Sequence, residues 1–204
     1  MVEPYYDRDG ITIYRGDCRE IVPTLEPVDL VLTDPPYGYG WDTSYSRFSK
    51  GSADKPEITS DAERMDLDWL WELKCELMFF GANSIGHTDP GSYLVWDKRC
   101  GDGWSFLSDA EVAWWSEGHG VYIYPCNAQK HRSKSGLHPT QKPVEVMTWM
   151  ISKAKQSGTI LDPFMGSGTT LVAAKLEGRS AIGIEIEERY CEIAANRLSQ
   201  GFLF

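Results

Sequence analysis

At 204 residues, with 42% hydrophobic and 25% charged residues, the chain has the make-up of one globular domain that can bury a substantial core. It holds no run of about 18 apolar residues, and its start, Met1-Val2-Glu3-Pro4-Tyr5, is neither a basic nor an apolar leader, so a membrane span is excluded and the cytoplasm is expected. The net charge of −10 argues at first against a nucleic-acid partner, and five scattered cysteines without CxxC spacing argue against a disulfide framework or a structural metal.

Tyr5-Tyr6 and Ile11–Tyr14 flank Asp7-Arg8-Asp9-Gly10, whose Asp-Gly pair predicts a hairpin. Gly16-Asp17-Cys18 ends the second strand, and a short helix is expected over Cys18–Leu25. The apolar run from Val28 to Thr33 predicts a buried strand that delivers Asp34-Pro35-Pro36-Tyr37 into a loop. Gly38 to Lys55 has no period and is expected to be a mobile loop. Asp68–Leu77 predicts a helix, Leu77–Phe80 a strand closed by Gly81, and Tyr93–Trp96 a strand ending at Asp97-Lys98-Arg99. Ser108–Trp115 is expected to be a helix capped by Ser108 or Asp109, and Val121–Tyr124 a strand. Between Glu117 and Glu145 there is no acid, yet Lys130, Arg132, Lys134 and Lys142 lie there with His119, His131 and His138. Such a strip suits a phosphate-contacting face as well as a solvated basic loop. Helices are expected over Lys142–Gln156, Thr169–Glu177 and Glu187–Leu198, and strands over Thr159–Leu161 and Ala181–Ile184. Strands alternating with helices predict an α/β fold with a sheet that is parallel at least in its C-terminal half.

Two loops carry chemistry. In Asp34–Tyr37 the prolines fix their own φ and restrict the residue before them, and they leave nearby carbonyls without local donors. An acid, bare carbonyls and the flat Tyr37 ring suit a planar group bearing an amine. Leu161-Asp162-Pro163-Phe164-Met165-Gly166-Ser167-Gly168-Thr169-Thr170 sits at a strand-to-helix junction, where glycines let the backbone approach a ligand. It is neither GxGxxG nor GK[ST], so nucleotide phosphate binding is disfavoured. The next strand ends in Gly183-Ile184-Glu185, and an acid there suits ribose hydroxyls. Loop and acid together suggest an adenosine-containing cofactor without a pyrophosphate.

Asp34–Tyr37, Leu161–Thr170 and His138-Pro139-Thr140-Gln141-Lys142-Pro143, in that order, resemble the DNA amino-methyltransferases, which move a methyl from S-adenosylmethionine to adenine N6 or cytosine N4. With the catalytic motif first and the cofactor loop last, the circularly permuted order resembles the β arrangement of that family. Leu94–Arg99 is similar to the small phage- and prophage-type methylases. The resemblance covers nearly the whole chain. It implies a single Rossmann-like S-adenosylmethionine-dependent methyltransferase domain over 1–204, with a mainly parallel sheet and helices on both faces. The strand of the cofactor loop should lie beside that of the catalytic loop, and the Ala181–Ile184 strand beside Ile11–Tyr14.

The resemblance also implies roles. Asp34, Pro35, Pro36 and Tyr37 form the catalytic turn, with Asp34 also bordering the cofactor. The Asp34 carboxylate and the Pro35 carbonyl would hold the amine hydrogens, and Tyr37 would stack on a flipped base. Asp162, Phe164, Gly166, Gly168 and Thr169 would line the cofactor, Glu185 would take its ribose, Asp17 beside Cys18 its adenine, and Thr140 and Lys142 its methionine carboxylate. Lys98, Arg99, Lys130, Arg132 and Lys134 would contact double-stranded DNA, with 38–64 and 125–141 as target-recognition loops. Either a homodimer supplies a second DNA-contact arm, or recognition is short and loose. Asp34 is the adenine-like choice, where cytosine-N4 enzymes usually carry Ser. The alternatives are a cytosine-N4 enzyme, a methyltransferase for RNA or protein glutamine, and a non-catalytic nucleic-acid or cofactor-binding protein, whose mark would be a decayed turn where Asp34–Tyr37 is intact. Pro125-Cys126 looks like the nucleophile pair of cytosine-C5 enzymes, but with Asp34–Tyr37 intact it would be redundant. No metal is expected, and a place in restriction-modification is implied.

Overall fold

The computed structural model describes residues 2–36, 66–85, 90–100, 108–127 and 141–200. Tyr37, the 38–64 loop, Thr140, Lys130, Arg132, Lys134, His131 and His138 lie outside the described residues. The elements are β1 (Tyr6–Arg8), β2 (Ile11–Arg15), α1 (Cys18–Ile21), β3 (Leu30–Thr33), α2 (Trp69–Glu72), β4 (Glu76–Phe80), α3 (Ala82–Ile85), β5 (Ser92–Asp97), β6 (Ala110–Trp115), β7 (Val121–Pro125), α4 (Val144–Lys153), β8 (Ile160–Asp162), α5 (Thr169–Leu176), β9 (Ala181–Glu185) and α6 (Glu188–Ser199). A 3₁₀ turn at Val22–Thr24 follows α1, with Pro23 inside it.

These strands form one sheet in the order β1-β2-β9-β8-β3-β4-β6-β5-β7. The five from β2 to β4 run parallel to one another, while β6 is antiparallel to both β4 and β5. β1 and β2 are the expected hairpin, turned by Asp9 and Gly10 at φ +53° and +76°. β3 and β8 are neighbours, as are β2 and β9, in agreement with what the family resemblance implies.

Side chains alternate across the sheet, because a strand presents successive residues to opposite faces. Leu30, Leu32, Met78 and Phe80 pack on one face with α4, α5 and α6 residues such as Met147, Leu171 and Ala194. Val31, Leu77 and Phe79 pack on the other with Ile21 of α1 and Leu70 of α2. Burial on both faces makes β3 a continuous apolar run rather than an alternating one. Among the described residues no helix is long and apolar enough to cross a membrane.

Two expected helices are corrected. Ser108–Trp115 is not a helix: residues 110–115 form β6, where Ala113 and Trp115 join one core and Trp114 the other. Pairing on both edges outweighs the helical preference of Ala and Glu in that segment. Asp68–Leu77 yields only the one-turn α2. Lys74 takes a left-handed φ of +52°, which breaks the helix and turns Glu76-Leu77 into the start of β4.

Candidate active site

The carboxyl ends of β2, β9, β8, β3 and β4 share one edge of the sheet. From β3 the chain proceeds outward to β4, and from β8 outward the other way to β9. The crevice between β3 and β8 is therefore a topological switch point, where open α/β sheets take their ligands. Asp34 and the glycine loop flank it.

A hydrogen-bonded carboxylate ties the two together. Asp162 is buried, and its Oδ1 accepts from Thr33 Oγ1 at 2.7 Å and from the Phe164 amide at 3.2 Å. Its Oδ2 accepts from Thr170 Oγ1 at 2.5 Å. Burial lifts its pKa from 3.8 to about 6 against the pull of these donors, with a smaller contribution from the nearby Asp34 charge. Between 3.8 and about 6 the folded protein keeps a proton that the unfolded chain releases, so this group's contribution to stability falls as pH rises through that window. The change amounts to about 3 kcal/mol. Asp162→Asn removes the titration and leaves a pH-independent offset. Urea melts from pH 4 to 7 should show wild type losing ground to the variant by up to that amount, whereas a constant gap would contradict the assignment.

Behind Asp162 the loop turns at Gly166, with φ +49°, and at Gly168, with φ +76° as the N-cap of α5. Gly168 also lies so close to α6 that a Cβ there would stand 2.7 Å from the Ala194 Cβ. Arg197 of α6 clamps the loop, donating to the Ser167 carbonyl at 2.5 Å and to Thr169 Oγ1 at 3.3 Å. Glu185, ending β9, accepts from the Gly166 amide at 3.1 Å and the Glu187 amide at 2.8 Å. Burial raises its pKa. Each carboxylate oxygen has about two lone pairs, so capacity remains for hydroxyl donors.

Asp17 reaches the same edge because Arg15 pairs with Glu185 and the Gly16 amide donates to the Glu185 carbonyl at 3.0 Å. It N-caps α1 through the Arg19 amide at 2.9 Å, and it holds the Arg19 guanidinium, which keeps its pKa low. An amine approaching Asp17 must share it with that side chain. Cys18 is buried, its thiol pushed up to about 11 by desolvation, and it serves packing. Cys126, whose carbonyl accepts from Trp96 Nε1 at 2.7 Å, is likewise pushed up to about 11. Both thiols therefore stay mostly protonated near neutral pH.

Lys142 is not part of an exposed basic strip. Its ammonium is buried, paired with Asp34 Oδ2 and with Glu111 Oε2 at 3.1 Å, and lies 4.8 Å from the centre of the Phe80 ring. Desolvation opposes its charge, but the two carboxylates outweigh it and raise the pKa. Lys98 Nζ meets Glu111 Oε1 at 3.1 Å, and Arg99 pairs with Asp109 at 3.1 Å. Of the five cations expected to contact DNA, these two are thus already engaged by acids. Pro35 is buried directly behind Asp34. Phe164 meets the Trp69 ring edge-on at 6.5 Å, and the Trp69 indole N–H is buried without an acceptor among the described residues.

Sequence reasoning missed Thr33, Thr170, Arg197, Trp69 and Glu111. A hydroxyl just before the acid turn and another just after the glycine loop were the available signals for the first two. Glu111 was hidden by the helical reading of its segment. Among the described residues no group of three His, Cys, Asp or Glu could hold a metal ion.

A fold with an acid turn and a glycine loop meeting at the switch point defines an α/β protein of the Rossmann-like methyltransferase kind. The DNA methylase family model N6_N4_Mtase matches residues 94–196. The chain is 26% identical over 254 positions to the type II methyltransferase M2.LlaDCHI of Lactococcus lactis subsp. cremoris, covering 98% of this chain and 94% of that protein. It is 30% identical over 210 positions to YubD of Escherichia coli (strain K12), covering 91% of this chain and 88% of that protein. The crystal structure of the M1.HpyAVI–SAM complex superposes with a TM-score of 0.61 at 24% identity, over 92% of this chain and 99% of that one. This chain belongs to the N6/N4 DNA methylase family.

Proposed function

We propose that the protein transfers a methyl group from S-adenosylmethionine to adenine N6 in double-stranded DNA. The observation that carries this reading is the 2.7 Å bond from Thr33 to Asp162, which sets the Asp34 turn directly beside the glycine loop. The residues at the strand ends fit the cofactor. Glu185 has acceptor capacity for ribose hydroxyls, Asp17 stands beside it for the adenine amine, and Phe164, Gly166, Gly168 and Thr169 offer a loop of small and apolar groups. When bound, S-adenosylmethionine supplies an activated methyl on its sulfonium.

The chain's own residues deal with the acceptor. An exocyclic amine is a weak nucleophile because its lone pair is delocalised into the ring. Asp34 and the Pro35 carbonyl hold the two amine hydrogens and favour a tetrahedral nitrogen, which aims the lone pair at the methyl carbon. The new N–C bond forms as the C–S bond breaks, and the sulfur keeps that electron pair. Asp34 stabilises the positive charge that develops on nitrogen, which then loses its proton to solvent. Tyr37 stacks on the flipped base. Lys142 serves Asp34 first, since two protein carboxylates share its charge, and reaches the methionine carboxylate with Thr140 only secondarily. Lys130, Arg132 and Lys134 contact phosphates, while Lys98 and Arg99 are held by Glu111 and Asp109, and the reaction runs in the cytoplasm.

Adenine is preferred over cytosine because position 34 is Asp rather than Ser. Single-molecule sequencing of unmodified genomic DNA treated with enzyme and cofactor tests the reading. Modified adenines at a recurring short sequence are expected, and modified cytosines alone would replace adenine N6 with cytosine N4. A second copy completing the DNA-contact surface is the rival to short, loose recognition. A monomer mass by gel filtration with tight binding to one duplex site would exclude it.

A further inference from the structure

Four charged groups of alternating sign stand in a row at the active-site edge: Asp34 after β3, Lys142 before α4, Glu111 in β6 and Lys98 after β5. Lys142 Nζ touches Asp34 Oδ2 and lies 3.1 Å from Glu111 Oε2, and Lys98 Nζ lies 3.1 Å from Glu111 Oε1. The Lys142 side chain is 8% exposed and that of Glu111 33%. The sheet builds the row: Glu111 pairs with Trp96, the residue before Asp97-Lys98, and Phe80 at the end of β4 supplies the ring beside Lys142.

We propose that Glu111 is a positioning residue for methyl transfer, acting through Lys142 on Asp34. The proposal rests on the functional reading above. Lys142 alone beside Asp34 would spend its whole positive field on the carboxylate that must stabilise a developing cation. Glu111 takes up part of that field and fixes the ammonium from the far side, so Asp34 is held in place while remaining a strong acceptor. Lys98 in turn limits how far Glu111 draws Lys142 away. Burial opposes a charged Glu111, yet the two lysines outweigh it and keep its carboxyl below the ordinary range, so it is ionised when the enzyme works. Among the described residues, Lys142 and, from β8, Asp162 bring charge to Asp34.

The test is the pH profile of single-turnover methyl transfer to unmethylated genomic DNA, with tritiated S-adenosylmethionine and both substrates saturating. Glu111→Gln leaves the Lys142 charge uncompensated beside Asp34. It is expected to lower the plateau about 10-fold and to move the acid limb to lower pH, with cofactor affinity unchanged. Glu111→Asp should recover part of the plateau. Lys98→Met, which frees Glu111 to draw on Lys142, should move the acid limb to higher pH. That variant carries the test from the other side should Glu111→Gln not fold. An acid limb unmoved in the folded variants, or a loss confined to cofactor affinity, overturns the inference and leaves the functional reading standing. No transfer by wild type overturns both.

Discussion

Asp34→Ala is expected to lower methyl transfer by about 10²-fold or more while the protein still binds S-adenosylmethionine. The substitution removes the acceptor that holds the amine and stabilises its developing charge, and it leaves the glycine loop and Glu185 in place. It also strips Lys142 of one carboxylate, so among the described residues the buried ammonium keeps Glu111 as its remaining ion-pair partner. Some loss of thermal stability should therefore accompany the loss of rate. Activity is best read as a single-turnover rate, with calorimetry on the same sample for cofactor affinity. Unchanged turnover would falsify the assigned mechanism, and a parallel collapse of affinity would move Asp34 into the cofactor's binding set alone.

The second large effect is on affinity. Glu185→Ala should weaken cofactor binding by about 10- to 100-fold, the magnitude of losing hydrogen bonds to a charged acceptor. The same substitution removes the acceptor for the Gly166 and Glu187 amides, so the loop and the start of α6 lose a shared anchor. Wild-type affinity by calorimetry would remove the ribose role. At saturating cofactor the variant's rate should approach that of wild type, which separates this carboxylate from Asp34.

Local signals were enough for the parts of the fold made by neighbours in sequence. The Asp9-Gly10 hairpin, the buried β3 run and the β8–α5–β9 unit with its glycine loop follow from turn chemistry and periodicity. The family resemblance also implied that β3 and β8 would be adjacent, which puts Asp34 near the cofactor loop. What stayed hidden depends on contacts across the chain. Ala110-Glu111-Val112-Ala113 has the composition of a helix and becomes a strand only because β4 and β5 stand ready on either side. Lys142 has nothing in its surroundings in sequence to separate a first-turn lysine facing water from one buried against a carboxylate 108 residues away. Thr33 finds Asp162 across 129 residues. The misread segment and the misplaced lysine meet at one point of the active site, so the row of charges around Asp34 was the least legible part of it.

The most direct measurement is nucleoside mass spectrometry of unmethylated genomic DNA incubated with the purified protein and S-adenosylmethionine, alongside the same incubation without protein. N6-methyladenine that accumulates with wild type and is absent with Asp34→Ala is the predicted result. DNA with no methylated base, from a protein that demonstrably binds the cofactor, would contradict it.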